Sequence, residues 1–442
     1  PDSGHIQENE IEWVNRKRMR AGKKPNEPIY TEQDAIDCLE IFKGLEYDVP
    51  VKINDDISFV LKDAGHMLGS AIVELYLKED GKEKKVVFTG DLGNKNLPII
   101  NDPVNIDSAD VLVMESTYGD RLHSSIVDQS SKFIQIILDT IRRGGNVIIP
   151  SFAVGRTQEL LYEINKYLTD DRIKEELSKI PVYVDSPLAV NATRIFESQH
   201  SYYDEEALSY LLKGDNPLVF DNLHLIETSE ESQALNDDPE PKIIISASGM
   251  CEVGRIKHHL KHNLYRSECT ILFVGYQAEG TLGRKIMNGE PLVKIFGEEI
   301  AVKAEIKSLD AFSGHADRDG LLGWIAAMKK KPEQIFIVHG ELEAQNVLKE
   351  YIQQGFKINA INPAYQEQYD VDGTLLSDGK NSYKATRYNI LELMTSLKEE
   401  VDTMTNNVKR NLKSDVDTEY LQNIVEKLKD VQDSINIVND NT

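Results

Sequence analysis

The chain has 442 residues, 40% hydrophobic and 28% charged, which reads as a globular protein of roughly three domains. A chain of this length buries about three quarters of its unfolded surface, so folding requires no disulfide or metal staple. No apolar run approaches the ~18–20 residues of a membrane helix, and 74 acidic against 50 basic residues, a net charge of −24, argue against indiscriminate coating of nucleic acid. A local cationic groove, or a site where metal ions supply the positive charge, stays compatible with that balance. Cys38, Cys251 and Cys269 are too scattered to staple the chain. With no secretory signal they read as thiols of a reducing cytoplasm.

In chain order, residues 7–24 predict a polar helix ending in a basic stretch, Arg16 to Lys24, more simply a solvated helix end than an RNA contact. Thr31-Glu-Gln-Asp predicts a second helix behind a capping box. Short strands follow at Ile57–Leu61, Ser70–Leu77, Lys85–Thr89 and Val111–Met114. From about 122 to 300 strands and helices alternate: helix Ser130–Arg142, strand Asn146–Ile149, helix 155–168, strand Val182–Asp185, a helical stretch at 189–212, strand Lys242–Ser246, helix 254–263 and strand Thr270–Gly275. That alternation predicts a parallel sheet with crossover helices, whose ligands gather at strand ends. Sheet pattern returns at 292–338, with strands at 300–307 and Gln334–Val338 around helix Arg318–Lys329. Beyond about 388 the tail lacks Pro and Gly, and its apolar positions recur every three or four residues from Leu393 to Val408 and from Tyr420 to Val438. Two amphipathic helices are expected there, folded as a hairpin or contributing to a homodimer.

The familiar nucleotide loops, nucleophile elbow and HExxH zinc helix are missing. What the chain offers is a series of polar residues in glycine-bearing loops after strands. His66 lies in Asp63-Ala-Gly-His-Met-Leu-Gly-Ser, Asp91 in Phe88-Thr-Gly-Asp, and Glu115 in Glu115-Ser-Thr-Tyr-Gly-Asp-Arg. His315 lies in Phe312-Ser-Gly-His-Ala-Asp and His339 in Val338-His-Gly-Glu. Any one of these histidines is more simply a packed residue. Their recurrence after successive strands is different, because strand ends on one edge of a sheet converge, and imidazole and carboxylate donors converging there suit zinc. His258 and His262, four apart on a helix, lack a third donor and read as surface residues.

These loops, in this order, resemble the β-CASP branch of the metallo-β-lactamase fold, which includes the cleavage and polyadenylation endonuclease subunit and ribonuclease J. Pro150-Ser-Phe-Ala-Val-Gly-Arg, Asp185-Ser-Pro and Ser246-Ala-Ser-Gly-Met-Cys also match, and agreement runs from Asp2 to about residue 375. The resemblance implies an α/β fold: a metallo-β-lactamase αββα sandwich over 1–121 and 301–385, an inserted β-CASP domain over 122–300, and the helical tail over 386–442. It further implies a zinc-dependent ribonuclease that hydrolyses RNA phosphodiester bonds at a two-metal site between the two domains, on single-stranded RNA and away from membranes. His66, Asp91 and His339 would be zinc ligands, with Asp91 bridging two ions. Glu115 and His315 would form a carboxylate–imidazole pair in which His315 protonates the leaving oxygen. Ser313, Ser248 and Arg255 would hold the substrate phosphate.

The family's His-x-His-x-Asp-His string occurs nowhere in the 442 residues, and Val253 stands where many relatives have Gly. The expectation is therefore a truncated piece, inactive as it stands. Two rival readings are a catalytically silent scaffold or RNA-binding subunit, favoured by the missing string, and a DNA-processing nuclease. The latter is disfavoured by His339, where the resemblance gives DNA-acting relatives a Val.

Overall fold

The computed structural model describes residues 1–79, 81–123, 126–309, 313–371 and 373–377. It divides into two units, residues 1–363 with 371–373, and residues 364–370 with 374–442. The first unit opens with helices α1 (Asp2–Arg20) and α2 (Glu32–Cys38), the latter held by the expected capping box between Thr31 and Asp34. Strands β1 (Val51–Lys52), β2 (Ile57–Asp63), β3 (Ala71–Glu79), β4 (Lys82–Phe88) and β5 (Val111–Met114) follow. An alternating region then runs α3 (Ile126–Arg142), β6 (Val147–Pro150), α4 (Arg156–Leu168), α5 (Lys174–Leu177), β7 (Val182–Asp185), α6 (Pro187–Ser198) and α7 (Glu205–Leu212). It continues with β8 (Leu223–Ile226), α8 (Ser229–Asp237), β9 (Ile243–Ser246), α9 (Ile256–Asn263), β10 (Thr270–Phe273) and α10 (Leu282–Met287). Strands β11 (Leu292–Ile295), β12 (Glu298–Ala301) and β13 (Glu305–Ser308) precede α11 (Arg318–Ala327), β14 (Gln334–Ile337), α12 (Leu342–Phe356) and β15 (Asn359–Ile361). In the second unit β16 (Gln368–Tyr369) pairs antiparallel with β17 (Leu375–Ser377). The helices expected from 388 to 442 lie outside the described residues.

The chain builds two large sheets. The first has seven strands in the order β1-β2-β3-β4-β5-β14-β15, antiparallel through β4 and parallel from β4 to β15. Because β2 and β4 both run opposite to β3, strands β2, β4, β5 and β14 point the same way and end on one edge. The second sheet has six strands, all parallel, in the order β13-β10-β6-β9-β7-β8. Its central strands are apolar throughout because helices cover both faces, and side chains along a strand alternate between faces. Accordingly Val147, Ile149, Ile243 and Ile245 enter one core cluster, whereas Ile148, Ile244, Ile271 and Phe273 enter another. A third cluster, with Leu112, Met114, Ile335 and Ile337 under Trp324, Leu348 and Ile352, holds the first sheet.

Two expectations change. The strand anticipated at 300–307 is broken: β12 closes a hairpin with β11, while β13 pairs with β10 in the second sheet. The second sheet therefore runs past the anticipated boundary at 300. The single helical stretch at 189–212 is two helices, α6 with Ser186 capping the Ala189 amide, and α7 with Asp204 capping that of Ala207. Each cap oxygen satisfies an amide that the first helical turn leaves unpaired, so the chain restarts a helix there.

Leu112 is fully buried in a central strand of the first sheet, whereas Leu212 is 88% exposed at the end of α7. Leu112→Ala is expected to cost about 2–5 kcal/mol and Leu212→Ala less than about 0.5 kcal/mol, measured as shifts in urea midpoint at constant slope.

Candidate metal centre

The shared edge of the first sheet carries the polar loops. After β2 the chain turns through Gly65, at φ +61°, into His66. After β4 it turns through Gly90, at φ +55°, into Asp91. Both glycines occupy the left-handed region that side chains disfavour. Glu115 follows β5 directly, and His339 follows Val338 after β14. The loop before α11 is drawn onto the same edge by backbone pairing, Asn94 N to Gly314 O at 2.9 Å and Ala316 N to Leu92 O at 2.8 Å. These approaches leave no room for side chains: a Cβ on Gly93 would overlap the Gly65 carbonyl, and one on Gly314 would lie 2.9 Å from Cε1 of His66.

The expected donors meet. One ligand atom each from His66, Asp91 and His315 lies within 4.8 Å of the other two. His66 Nε2 is 3.8 Å from Asp91 Oδ2, and His339 Nε2 is 3.3 Å from Asp91 Oδ1. The rings of His66 and His315 stand 4.4 Å apart between centroids, those of His315 and His339 6.0 Å. The tightest donor group thus takes in His315, which sequence reasoning kept apart as an acid, while His339 joins through the second oxygen of Asp91. His339 is also the exposed member, with 60% of its side chain accessible.

Glu115 organises the other side of His315. It is 1% exposed, and its Oε1 accepts a hydrogen bond from Leu92 N at 2.6 Å. Nδ1 of His315 lies 3.1 Å from each carboxylate oxygen. An ionised carboxylate only accepts, so Nδ1 carries the hydrogen and Nε2 is left toward the cluster. Burial opposes charge on His315, but the hydrogen bond and negative charge of Glu115, with help from Asp91, outweigh it and raise its pKa above the ordinary histidine value. His66 goes the other way: burial first, and His315 next, push its pKa down. A neutral imidazole is the form that binds metal. Imidazoles of His66, His315 and His339 with the Asp91 carboxylate form a donor set that suits zinc.

The substrate residues divide. Ser313 is 5% exposed in the loop beside His315. Ser248, in the loop after β9, has its hydroxyl within 3.3 Å of Val253 O. Arg255, expected at the phosphate, has its guanidinium 2.7 Å from the buried Asp185 carboxylate, 2.8 Å from Glu227 O and 3.4 Å from Ile226 O. Asp185 also takes His259 at 2.6 Å and Ser232 at 2.5 Å, so Arg255 serves as a strut of the second sheet. His258 and His262 join no donor cluster among the described residues. Sequence reasoning missed the hydrogen bond from Tyr276 to Glu341, which ties the loop after β10 to the His339 loop. The Gly275-Tyr-Gln-Ala-Glu-Gly280 setting of Tyr276 signals a loop, and nothing in its spacing points to Glu341.

Fold and edge together define an α/β protein with a histidine–carboxylate cluster that could hold a metal ion. Two family models match its sequence, the Beta-Casp domain over residues 157–286 and the Zn-dependent metallo-hydrolase RNA specificity domain over residues 299–363. The chain is 36% identical over 321 residues to ribonuclease TTHA0252 of Thermus thermophilus, covering 73% of this chain and 71% of that protein. It is 34% identical to an RNase J-like protein of Methanocaldococcus jannaschii, over 71% of this chain and 70% of that one. It is also 34% identical to transcription termination factor FttA of Pyrococcus horikoshii, over 76% of this chain and 52% of that one, so it spans about half of that relative. The chain belongs to the β-CASP family of metallo-β-lactamase-fold ribonucleases.

The raised pKa of His315 yields a signed expectation for the metal-free protein. Its contribution to stability is full below the unfolded-state pKa and is lost as pH rises through the folded value. Glu115→Gln removes the partner charge and leaves burial to act, so the His315 pKa should fall, read from its imidazole resonances by NMR. The stability gap between the two proteins should narrow as pH rises through the wild-type folded value.

Proposed function

We propose that this chain is the catalytic part of a zinc-dependent ribonuclease that cleaves single-stranded RNA at a two-metal site. The observation that carries the reading is the buried Glu115–His315 pair set against the His66–Asp91–His339 donors on one sheet edge. Donors alone would describe a metal-binding protein; an imidazole whose Nδ1 is held by a buried carboxylate beside them supports an acid, although a metal-ligating histidine uses the same pairing. The relatives named as ribonucleases, and the RNA specificity model over 299–363, support RNA as the substrate.

In this reading His66, Asp91 and His339 would hold zinc, with Asp91 shared between two ions. Zinc, when bound, supplies Lewis acidity that activates water and offsets charge on a phosphodiester. His315 delivers the proton from Nε2 to the leaving oxygen, and Glu115 orients the ring and keeps it charged. Ser313 and Ser248 contact the phosphate. The anticipated division into metallo-β-lactamase segments around an inserted β-CASP domain fits the two sheets, with the return to the first sheet after β13. A cytoplasmic setting fits three unpaired cysteines, two of them buried, and among the described residues no helix is long and apolar enough to cross a membrane.

The test uses the zinc-loaded full-length protein. General acid catalysis is worth about 10²–10⁴ in rate, so His315→Ala should lose that factor on single-stranded RNA while keeping its zinc, and His339→Ala should lose zinc together with activity. Glu115→Gln should follow His315→Ala more mildly. Wild-type cleavage by His315→Ala would remove it as the acid, and zinc loss from that variant would make it a ligand, as its place among the closest donors also allows.

A further inference from the structure

The loop between β6 and α4 exposes an aromatic ring without structural reason. β6 is buried at every position and so is the first turn of α4, yet Phe152 between them is 49% exposed and Val154 is 37% exposed. A phenylalanine flanked by core would ordinarily turn inward, since taking its ring out of water is favourable. The loop is held in this posture. Phe152 O accepts from Thr157 Oγ1 at 2.8 Å, and Ser151 N donates to Ser246 O at 3.0 Å. One edge of the ring is backed by the loop after β9: the place a Cβ on Gly249 would occupy lies 3.1 Å from Cδ2 and 3.2 Å from Cε2. A glycine there lets the ring lie against backbone while the rest of it stays open.

The same loop borders the metal centre. The Cβ position of Gly155 is 3.6 Å from Cβ of Met67, the residue after His66. Gly249 in turn adjoins Ser248. The exposed ring thus sits in a loop that touches the His66 loop at its far end and the Ser248 loop at its near end.

We propose that Phe152 is a stacking platform for an unpaired nucleobase of the strand whose phosphate occupies the metal centre, an inference that rests on the ribonuclease reading. Every base has a π-face, so an aromatic platform binds single strands with little sequence preference. Bases inside a duplex are stacked on their neighbours and are not open to such a ring. The net charge of −24 adds weight. Proteins that hold single strands usually draw on basic grooves and salt-sensitive phosphate attraction, and so acidic a chain must find more of its affinity in uncharged contacts.

The test is equilibrium binding of a short single-stranded oligoribonucleotide to the full-length protein, followed by anisotropy, with one 2-aminopurine or one abasic site moved along the strand. Stacking is worth about 1–3 kcal/mol per base, so Phe152→Ala should weaken binding roughly 5- to 150-fold, and Phe152→Tyr should restore it. At one position 2-aminopurine fluorescence should be quenched by wild type and not by Phe152→Ala. An abasic site at that position should weaken wild type but leave Phe152→Ala unchanged. Because the ring is half exposed, the alanine variant is expected to keep the wild-type unfolding midpoint. Equal affinity of wild type and Phe152→Ala, or an abasic penalty that is the same in both, overturns the platform and leaves the ribonuclease reading standing. Failure of wild type to bind any single-stranded RNA overturns both.

Discussion

A carboxylate that is 1% exposed sets the terms for the rest of this protein. An unpaired buried charge costs several kcal/mol, so Glu115 holds its place only while donors surround it. Those donors come from far apart in the chain: the Leu92 amide follows β4, and the His315 ring precedes α11, 200 residues away from Glu115. Satisfying one carboxylate therefore fastens together the ends of β4 and β5 and the loop that returns from the second sheet. Asp91 lies beside one of those donors. The metal donors and the acid candidate are gathered by the same constraint.

Close backbone approach is the second half of that arrangement. Gly93 and Gly314 let the Asp91, His66 and His315 loops lie against one another without side chains between them. Glycine costs backbone entropy on folding, and here the return is imidazoles packed at 4.4 Å between centroids. Their pKa values then separate, His66 down and His315 up, although both rings are partly buried. The difference is the partner: His315 has Glu115, while His66 has burial and another imidazole. Divergent pKa values in neighbouring groups are what a division between metal binding and proton delivery, as proposed here, would require.

Much of this was legible in the sequence. Apolar runs such as Ile243–Ile245 are hard to read as anything but strands covered on both faces, and the observed register bears that out. The glycine-bearing loops announced His66, Asp91, Glu115, His315 and His339, because backbone turns of that kind at strand ends leave a detectable local pattern. What local pattern could not carry is the partner of a long side chain. Arg255 in a glycine-bearing loop looks the same whether it meets a phosphate or the buried Asp185, and the latter comes from a strand 70 residues earlier. The break at Val302–Ala304 was equally hidden, since β12 and β13 are both acceptable strands and only their different partners separate them.

The acidity of the chain bears on how such a site can hold an anionic polymer. With 74 acidic and 50 basic residues, long-range attraction for phosphate is unfavourable on average. Basic side chains near the candidate site are largely committed: Arg255 to Asp185, Arg156 to Glu159, Arg121 to Asp120. In the proposed reading, positive charge at the point of reaction would come from metal ions on His66, Asp91 and His339 and from a proton carried by His315. Both are local, and neither draws a strand in from a distance. Away from that point, affinity has to rest on contacts that do not depend on charge, such as hydroxyls and aromatic faces. On the proposed reading, a site that relies on such contacts would favour a strand whose bases are free over one whose bases are paired.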